Sequence, residues 1–366
     1  MINRKRFLAY LGVCGASGIL GCKPGKGESV AGREQTVWVP YPGKPWAQAT
    51  RIVGHRSQPD LETFERQRAE NRPRLPLYND FCLVQDGIGR WHCIGILFEG
   101  ASSADYRQDR LFHCVAHSID GPYQQLDRLD LGFGSQAGVW APFVLRAPTR
   151  SVMFYATNEN GARSIREAQA SDATLESWHR LPGRQEVIVA EPAARDPQVI
   201  FNEKLNRYLL YYVATVSTEG QQSNVVRLRT STDLSTWSGP RTVLGTPPGY
   251  VAAESVFVLE KSGYFYMWVS GVDYSRMSLY ISETPFDFGD AQTNRIEEQP
   301  GHAAEIAWSE GRYWMACAAI SSIPGLPPIP QMPAAWHDLA GVYIQPLQWR
   351  AATGTDLAKI TRHTSD

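Results

Sequence analysis

The chain predicts an all-β fold, a five-bladed β-propeller in a single domain behind a short N-terminal extension, and three recurring patterns carry the prediction. A short polar or acidic opening occurs five times, at Asn79-Asp80-Phe81, Val139-Trp140-Ala141-Pro142, Arg195-Asp196-Pro197, Ala253-Glu254-Ser255 and Gly301-His302-Ala303. The spacing of about 50 to 60 residues is near the size of one four-stranded blade. Each opening is followed by an apolar strand-like run: Trp91 to Leu97, Ser151 to Ala156, Tyr208 to Val213, Tyr264 to Ser270 and Tyr313 to Ala318. Finally, a serine, a turn and an aromatic residue recur where a blade's outer edge belongs, in Ser118 to Tyr123, Ser171 to Trp178, Ser231 to Trp237 and Ser282 to Phe288. The 24 prolines and 31 glycines suit many short strands joined by turns.

In chain order, residues 1–22 read as an export signal. Arg4, Lys5 and Arg6 form a basic head, and Phe7 to Leu20 is apolar or small but too short for a stable membrane span. Ile19-Leu20-Gly21-Cys22 resembles a bacterial lipobox, and Asn3 to Leu8 is similar to a twin-arginine signal with Lys5 in place of the second arginine. These resemblances imply export to the cell envelope, periplasmic or at the outer membrane, with a lipid on Cys22 as the one membrane contact. A plain cleaved signal is the alternative. Residues 23–75 read as a tether and N-terminal extension, flexible from Gly25 to about Gln35 and helical from Pro59 to Asn71. The propeller is expected over 76–350, and 351–366 form a tail.

The full chain carries 36 basic and 37 acidic residues. Loss of residues 1–21 removes Arg4, Lys5 and Arg6 and no acidic group, leaving a net charge of about −4. Nucleic-acid binders ordinarily show a basic surplus, so that partner class is excluded. Of the six cysteines, Cys82, Cys93, Cys114 and Cys317 lie beyond the signal. A hairpin symmetric about Asp86-Gly87-Ile88-Gly89 predicts Cys82 opposite Cys93. Directly opposed strand cysteines have poor disulfide geometry, which favours buried free thiols, and export leaves oxidation open.

Propeller geometry brings the heads of the inner strands to one mouth of a central channel. Asp80, Asp196 and Glu254 then converge from blades one, three and four, with Trp140 and His302 beside them. Carboxylates crowded together favour retention of a proton by one of them, the condition for acid/base cleavage of an acetal. The duller readings are a turn cap for Asp80, a structural ion pair with Arg195 for Asp196, a solvated strand start for Glu254, blade-interface packing for Trp140 and an ordinary channel hydrogen bond for His302. The three carboxylates are expected at one phase of the repeat. His113 and His117, four apart on a strand, lie about 13 Å from each other and share no metal.

On these motifs, from roughly Leu77 to Trp349, the chain resembles the five-bladed propeller glycoside hydrolases of family 43, with family 32 as a relative. The resemblance implies a hydrolase acting on an oligosaccharide or polysaccharide bearing furanosides or xylosides. Asn79-Asp80 is similar to the motif that supplies the base in family 43 or the nucleophile in family 32. Arg195-Asp196-Pro197 resembles the motif whose aspartate modulates the acid and binds sugar hydroxyls, and Glu254 takes the place of the general acid. Asn79, Trp140, Arg195 and His302 are the implied substrate-binding residues. Phe81 replaces a common proline, and Ser255 stands where family 32 has cysteine. No cofactor is implied as required and no metal ligand is assigned, although a structural calcium beside His302 matches some family members. Gly341 to Leu347 resembles a final strand that closes the ring, and the proline-rich Ile323 to Trp336 reads as a loop at the rim. A non-catalytic carbohydrate-binding propeller is the alternative. No H-E-x-x-H, paired C-x-x-C, phosphate loop or G-x-S-x-G elbow competes.

Overall fold

The structure, a computed structural model, describes residues 36–54, 77–98, 108–132, 137–158, 163–180, 191, 193–272, 274, 276–319 and 341–362. The expected helix from Pro59 to Asn71, the rim loop from Ile323 to Trp336 and the signal segment all lie outside the described residues.

Two short strands come first, β1 (Trp38–Pro42) and β2 (Thr50–Gly54). Blade one follows as β3 (Leu77–Gln85), β4 (Trp91–Phe98), β5 (Leu111–Ala116) and β6 (Gln124–Gln125). Blade two is β7 (Val139–Arg146), β8 (Ser151–Thr157), β9 (Ser164–Ala170) and β10 (Trp178–Arg180). Blade three is β11 (Arg195–Asn202), β12 (Arg207–Thr218), β13 (Gln221–Ser231) and β14 (Arg241–Leu244). Blade four is β15 (Glu254–Lys261), β16 (Tyr264–Ser270), β17 (Arg276–Ser282) and β18 (Glu297–Pro300). Blade five takes β19 (His302–Ser309), β20 (Arg312–Ala319) and β21 (Gly341–Ala351) from the end of the chain.

Each blade is an antiparallel meander in which sequence neighbours pair, and the five sheets form the propeller. Ring closure departs from expectation. The last strand, β21, is third in its blade, and the outer position is filled from the N-terminal extension: Trp38–Pro42 pairs with the C-terminal half of β21 and Thr50–Gly54 with its N-terminal half. A six-residue helix, α1 (Gly354–Lys359), follows, started by a reciprocal cap between Thr353 and Asp356. Ile360 beyond it joins the apolar cluster between blades four and five.

Five apolar clusters fill the gaps between successive blades. Cys82, Tyr155 and Trp178 pack between blades one and two, Phe154 and Tyr212 between two and three, Tyr211 and Met267 between three and four. Trp268 and Met315 join four to five, and Phe112 and Trp314 join five to one. Each fully buried large side chain contributes on the order of 1.5–3 kcal/mol. Polar staples cross the same gaps. Gln198 of blade three donates from Nε2 to the Val258 carbonyl (2.9 Å) and accepts from the Val258 N–H at Oε1 (2.6 Å), borrowing backbone groups from blade four.

Three hairpins use the two-residue loops Glu219-Gly220, Ser262-Gly263 and Glu310-Gly311, with both residues at positive φ. This is the primed turn that matches strand twist, and glycine supplies its second position without steric cost. The first hairpin behaves differently. Asp86 accepts from Ile88 N (3.0 Å), Arg90 N (2.8 Å) and Arg90 Nε (2.8 Å), which makes a five-residue loop, so Gln85 pairs with Trp91. Cys82 therefore faces Ile94, and Cys93 faces Leu83 on one side and Cys114 on the other. The expected Cys82–Cys93 pairing fails by one residue, which turns the two side chains to opposite faces. Cys82, Cys93, Cys114 and Cys317 are all buried free thiols.

Replacing Gln198 with leucine strands the Val258 N–H and carbonyl without partners. A loss of about 1–3 kcal/mol, read as a lower Tm in thermal unfolding, is the expected outcome.

Candidate active site

The heads of the inner strands share one local feature. Pairing slips by one residue near the start of β3, β7, β11, β15 and β19. In blades two to five the slipped segment contains a non-glycine residue in left-handed conformation: Ala141 (φ 44°), Asp196 (φ 55°), Ser255 (φ 48°) and Ala303 (φ 52°). A bulge of this kind re-aims the side chains on either side of it. The repeat therefore aligns Trp140, Arg195, Glu254 and His302 just before the bulge, and Ala141, Asp196, Ser255 and Ala303 within it. Asp196 and Glu254 stand one position apart, which corrects the expectation of a single phase. They still meet, because Arg195 bridges them.

Arg195 grips Glu254 with two parallel bonds, Nε to Oε2 at 2.6 Å and Nη2 to Oε1 at 2.7 Å. Its Nε also lies 3.8 Å from Asp196 Oδ2, while Nη1 donates to the Ala193 carbonyl (3.0 Å) and Nη2 to the Ala253 carbonyl (3.2 Å). Asp196 Oδ2 accepts the Ser255 N–H at 2.8 Å. Ser255 Oγ donates to Asp80 Oδ1 at 2.5 Å. Asp80, Asp196 and Glu254, from three separate blades, are thus linked through Ser255 and Arg195.

Asp80, Ala141, Asp196, Ser255, Ala303 and Glu305 line a common space to which all five inner strands contribute. Burial, then the repulsion of Glu254 and Asp80, pushes the Asp196 carboxyl well above the ordinary carboxylate range, against the pull of Arg195 and the Ser255 N–H. Glu305 is also pushed up, first by burial and then by Asp80, against a bond from the Leu83 backbone.

The other expected residues have different surroundings. Asn79 is buried, with Nδ2 3.4 Å from Asp80 Oδ2. His302, expected to touch substrate, is fully buried and lies 3.1 Å from Asp80 Oδ1 through Nε2, so it contacts a carboxylate in place of a sugar. Arg195 likewise spends its guanidinium on protein groups. Trp140 donates its indole N–H to Gln108. The Arg163 guanidinium lies 5.6 Å from the centre of its ring, and Gly138 lies so close that a β-carbon there would come within 2.2 Å of Trp140 Cζ2. Trp140 is half-buried and belongs to none of the five apolar clusters. His302 Nε2 faces Asp80, and among the described residues no group of three His, Cys, Asp or Glu side chains is arranged to hold a metal ion.

Two site residues escape sequence reasoning. Glu305 lies three residues past the blade-five opening, in phase with Gln198, and Tyr274 lies in the β16–β17 connection. The Tyr274 ring meets His302 edge-on at 4.5 Å, and its hydroxyl is pushed up by burial and then by Asp80, Glu254 and Asp196. Only the repeat phase signalled Glu305; nothing in the sequence signalled Tyr274.

No family model matches the chain, and no curated protein does. Solved structures match over most of its length. A thermostable family-43 glycoside hydrolase superposes with a TM-score of 0.58 at 15% identity, covering 76% of this chain and 94% of its own. Its fold is shared with family-43 glycoside hydrolases. A family-43 enzyme from Xanthomonas citri complexed with xylose gives 0.57 at 12% identity, over 82% of this chain and 91% of its own. The β-fructofuranosidase of Schwanniomyces occidentalis gives 0.52 at 12% identity, over 74% of this chain and 55% of its own.

A raised Asp196 binds its proton more tightly folded than unfolded. Its contribution to stability is full below the unfolded value and is lost as pH rises toward the folded one. Thermal unfolding of Asp196→Asn against wild type is therefore expected to show the variant gaining relative stability from about pH 4 upward. A constant difference across pH would contradict this.

Proposed function

We propose that the protein is a glycoside hydrolase cleaving furanosides or xylosides with Asp80, Asp196 and Glu254. The observation that carries the reading is the linkage of these carboxyls from three blades through Arg195 and Ser255, with the Asp196 carboxyl pushed well above the ordinary carboxylate range by burial and by Glu254 and Asp80. The shared fold supports it, as do the sugars bound by the neighbours, xylose in one Xanthomonas citri complex and xylotriose in another.

In this reading Glu254 delivers a proton to the leaving oxygen as the glycosidic C–O bond breaks. Asp80 either takes a proton from the attacking water or attacks the anomeric carbon itself, water then releasing the sugar. Asp196 orders sugar hydroxyls, and Glu254, once released from Arg195, takes a proton from solvent before it donates it to the leaving oxygen. Because Arg195 engages both Glu254 oxygens, substrate has to open that pair before Glu254 serves as the acid. The same bidentate pair favours a second reading, a carbohydrate-binding propeller without turnover. Export with a lipid on Cys22 belongs to the proposal as well.

Glu254→Gln and Asp80→Asn are each expected to lower kcat on 4-nitrophenyl α-L-arabinofuranoside or β-D-xylopyranoside about 10²- to 10⁴-fold, with xylotriose binding by calorimetry kept. Binding without wild-type turnover would favour the second reading. Metabolic labelling with an alkyne fatty acid should mark the wild-type protein and not Cys22→Ser.

A further inference from the structure

Three polar atoms form a closed triangle at the inner side of Asp80. Ser255 Oγ lies 2.5 Å from Asp80 Oδ1, His302 Nε2 lies 3.1 Å from the same oxygen, and Oγ and Nε2 are 3.3 Å apart. The hydrogens in this triangle can be assigned. A serine hydroxyl has one proton, and the short contact commits it to the carboxylate. At Nε2 both neighbours are then acceptors, so Nε2 must carry the imidazole proton, shared between Asp80 Oδ1 and Ser255 Oγ. His302 Nδ1, buried and without a partner among the described residues, is left as a bare acceptor, a smaller cost than a buried unpaired N–H.

The two oxygens of Asp80 are therefore unequal. Oδ1 accepts from two donors on buried residues, Ser255 and the fully enclosed His302, whereas among the described residues Oδ2 has the 3.4 Å contact from Asn79 alone. Asp80 keeps 14% of its side chain exposed. Oδ1 is the oxygen turned toward the enclosed pair. We propose that Ser255 is a positioning residue that, together with His302, clamps Asp80 Oδ1 and presents Oδ2 as the oxygen that meets water or the anomeric carbon. The proposal rests on the reading of Asp80 as base or nucleophile. Backbone placement serves the same end: only with Ser255 left-handed at φ 48° does its N–H reach Asp196 while its hydroxyl reaches Asp80.

Two variants separate the hydroxyl from the backbone. Ser255→Ala removes the hydroxyl and keeps the strained conformation, and Ser255→Gly removes both hydroxyl and strain. Both should lower kcat on the two 4-nitrophenyl glycosides about 10- to 100-fold, with KM little changed. Long-range ¹H–¹⁵N correlation spectra of the histidine rings, with His302 assigned by its loss in His302→Gln, should show the proton on Nε2. That resonance should move in both serine variants, since one of its acceptors is gone. A proton on Nδ1, an Nε2 resonance unmoved in the variants, or wild-type kcat in Ser255→Gly would overturn the proposal. A wild-type protein with the Nε2 proton and the expected shifts but no turnover of either glycoside would support the clamp and remove the hydrolase reading.

Discussion

The one-residue slip at the head of each inner strand is the constraint from which the site follows. A regular antiparallel pair would alternate side chains between the two faces of each blade, and none would be turned into the channel mouth with its neighbour. The slip, with its left-handed residue, breaks that alternation. Left-handed non-glycine residues cost on the order of 1 kcal/mol each, and Ala141, Asp196, Ser255 and Ala303 all adopt that conformation. The packed gaps between blades hold them there. Pro197 after Asp196 and Pro142 after Ala141 suit the same bend, since neither could supply a ladder N–H.

Around the slips, charge is arranged in a chain. Glu254 is held by Arg195, Arg195 leans toward Asp196, Asp196 takes the Ser255 N–H, and Ser255 takes hold of Asp80. Three carboxyls in so small a volume repel one another. The Arg195 guanidinium offsets part of that repulsion, and burial together with Glu254 and Asp80 pushes the Asp196 carboxyl well above the ordinary carboxylate range. Glu305 shows the same economy in a structural role. It sits in phase with Gln198, and the Leu83 backbone bonds it as the Val258 backbone bonds Gln198. A carboxyl in blade five thus stands where blade three uses an amide.

Much of this was legible in the residues. The openings, the second strands and the serine-closed third strands occur where the repeat put them, because apolar runs bounded by turns leave few alternatives for a chain so poor in helical patterning. What escaped was register. Whether a hairpin closes over four residues or five depends on where one carboxylate, that of Asp86, directs its bonds, and composition carries no trace of that choice. The offset between Asp196 and Glu254 was hidden for the same reason, since a slip adds a residue without altering the pattern on either side. Arg195 reads as a sugar ligand from its motif, and only its contact with a residue 59 positions away shows it to be a partner of Glu254.

The pairing of Trp38–Pro42 and Thr50–Gly54 with the last strand has a consequence for how the molecule is made. Blade five stays short of its outer member until the final segment has left the ribosome and met a stretch synthesised some three hundred residues before. Until that meeting the nascent polypeptide exposes a naked edge, a template for unwanted association. Once sealed, the ring holds Trp38–Pro42 and Thr50–Gly54 against Gly341–Ala351, so a pull on either segment is borne by the same sheet.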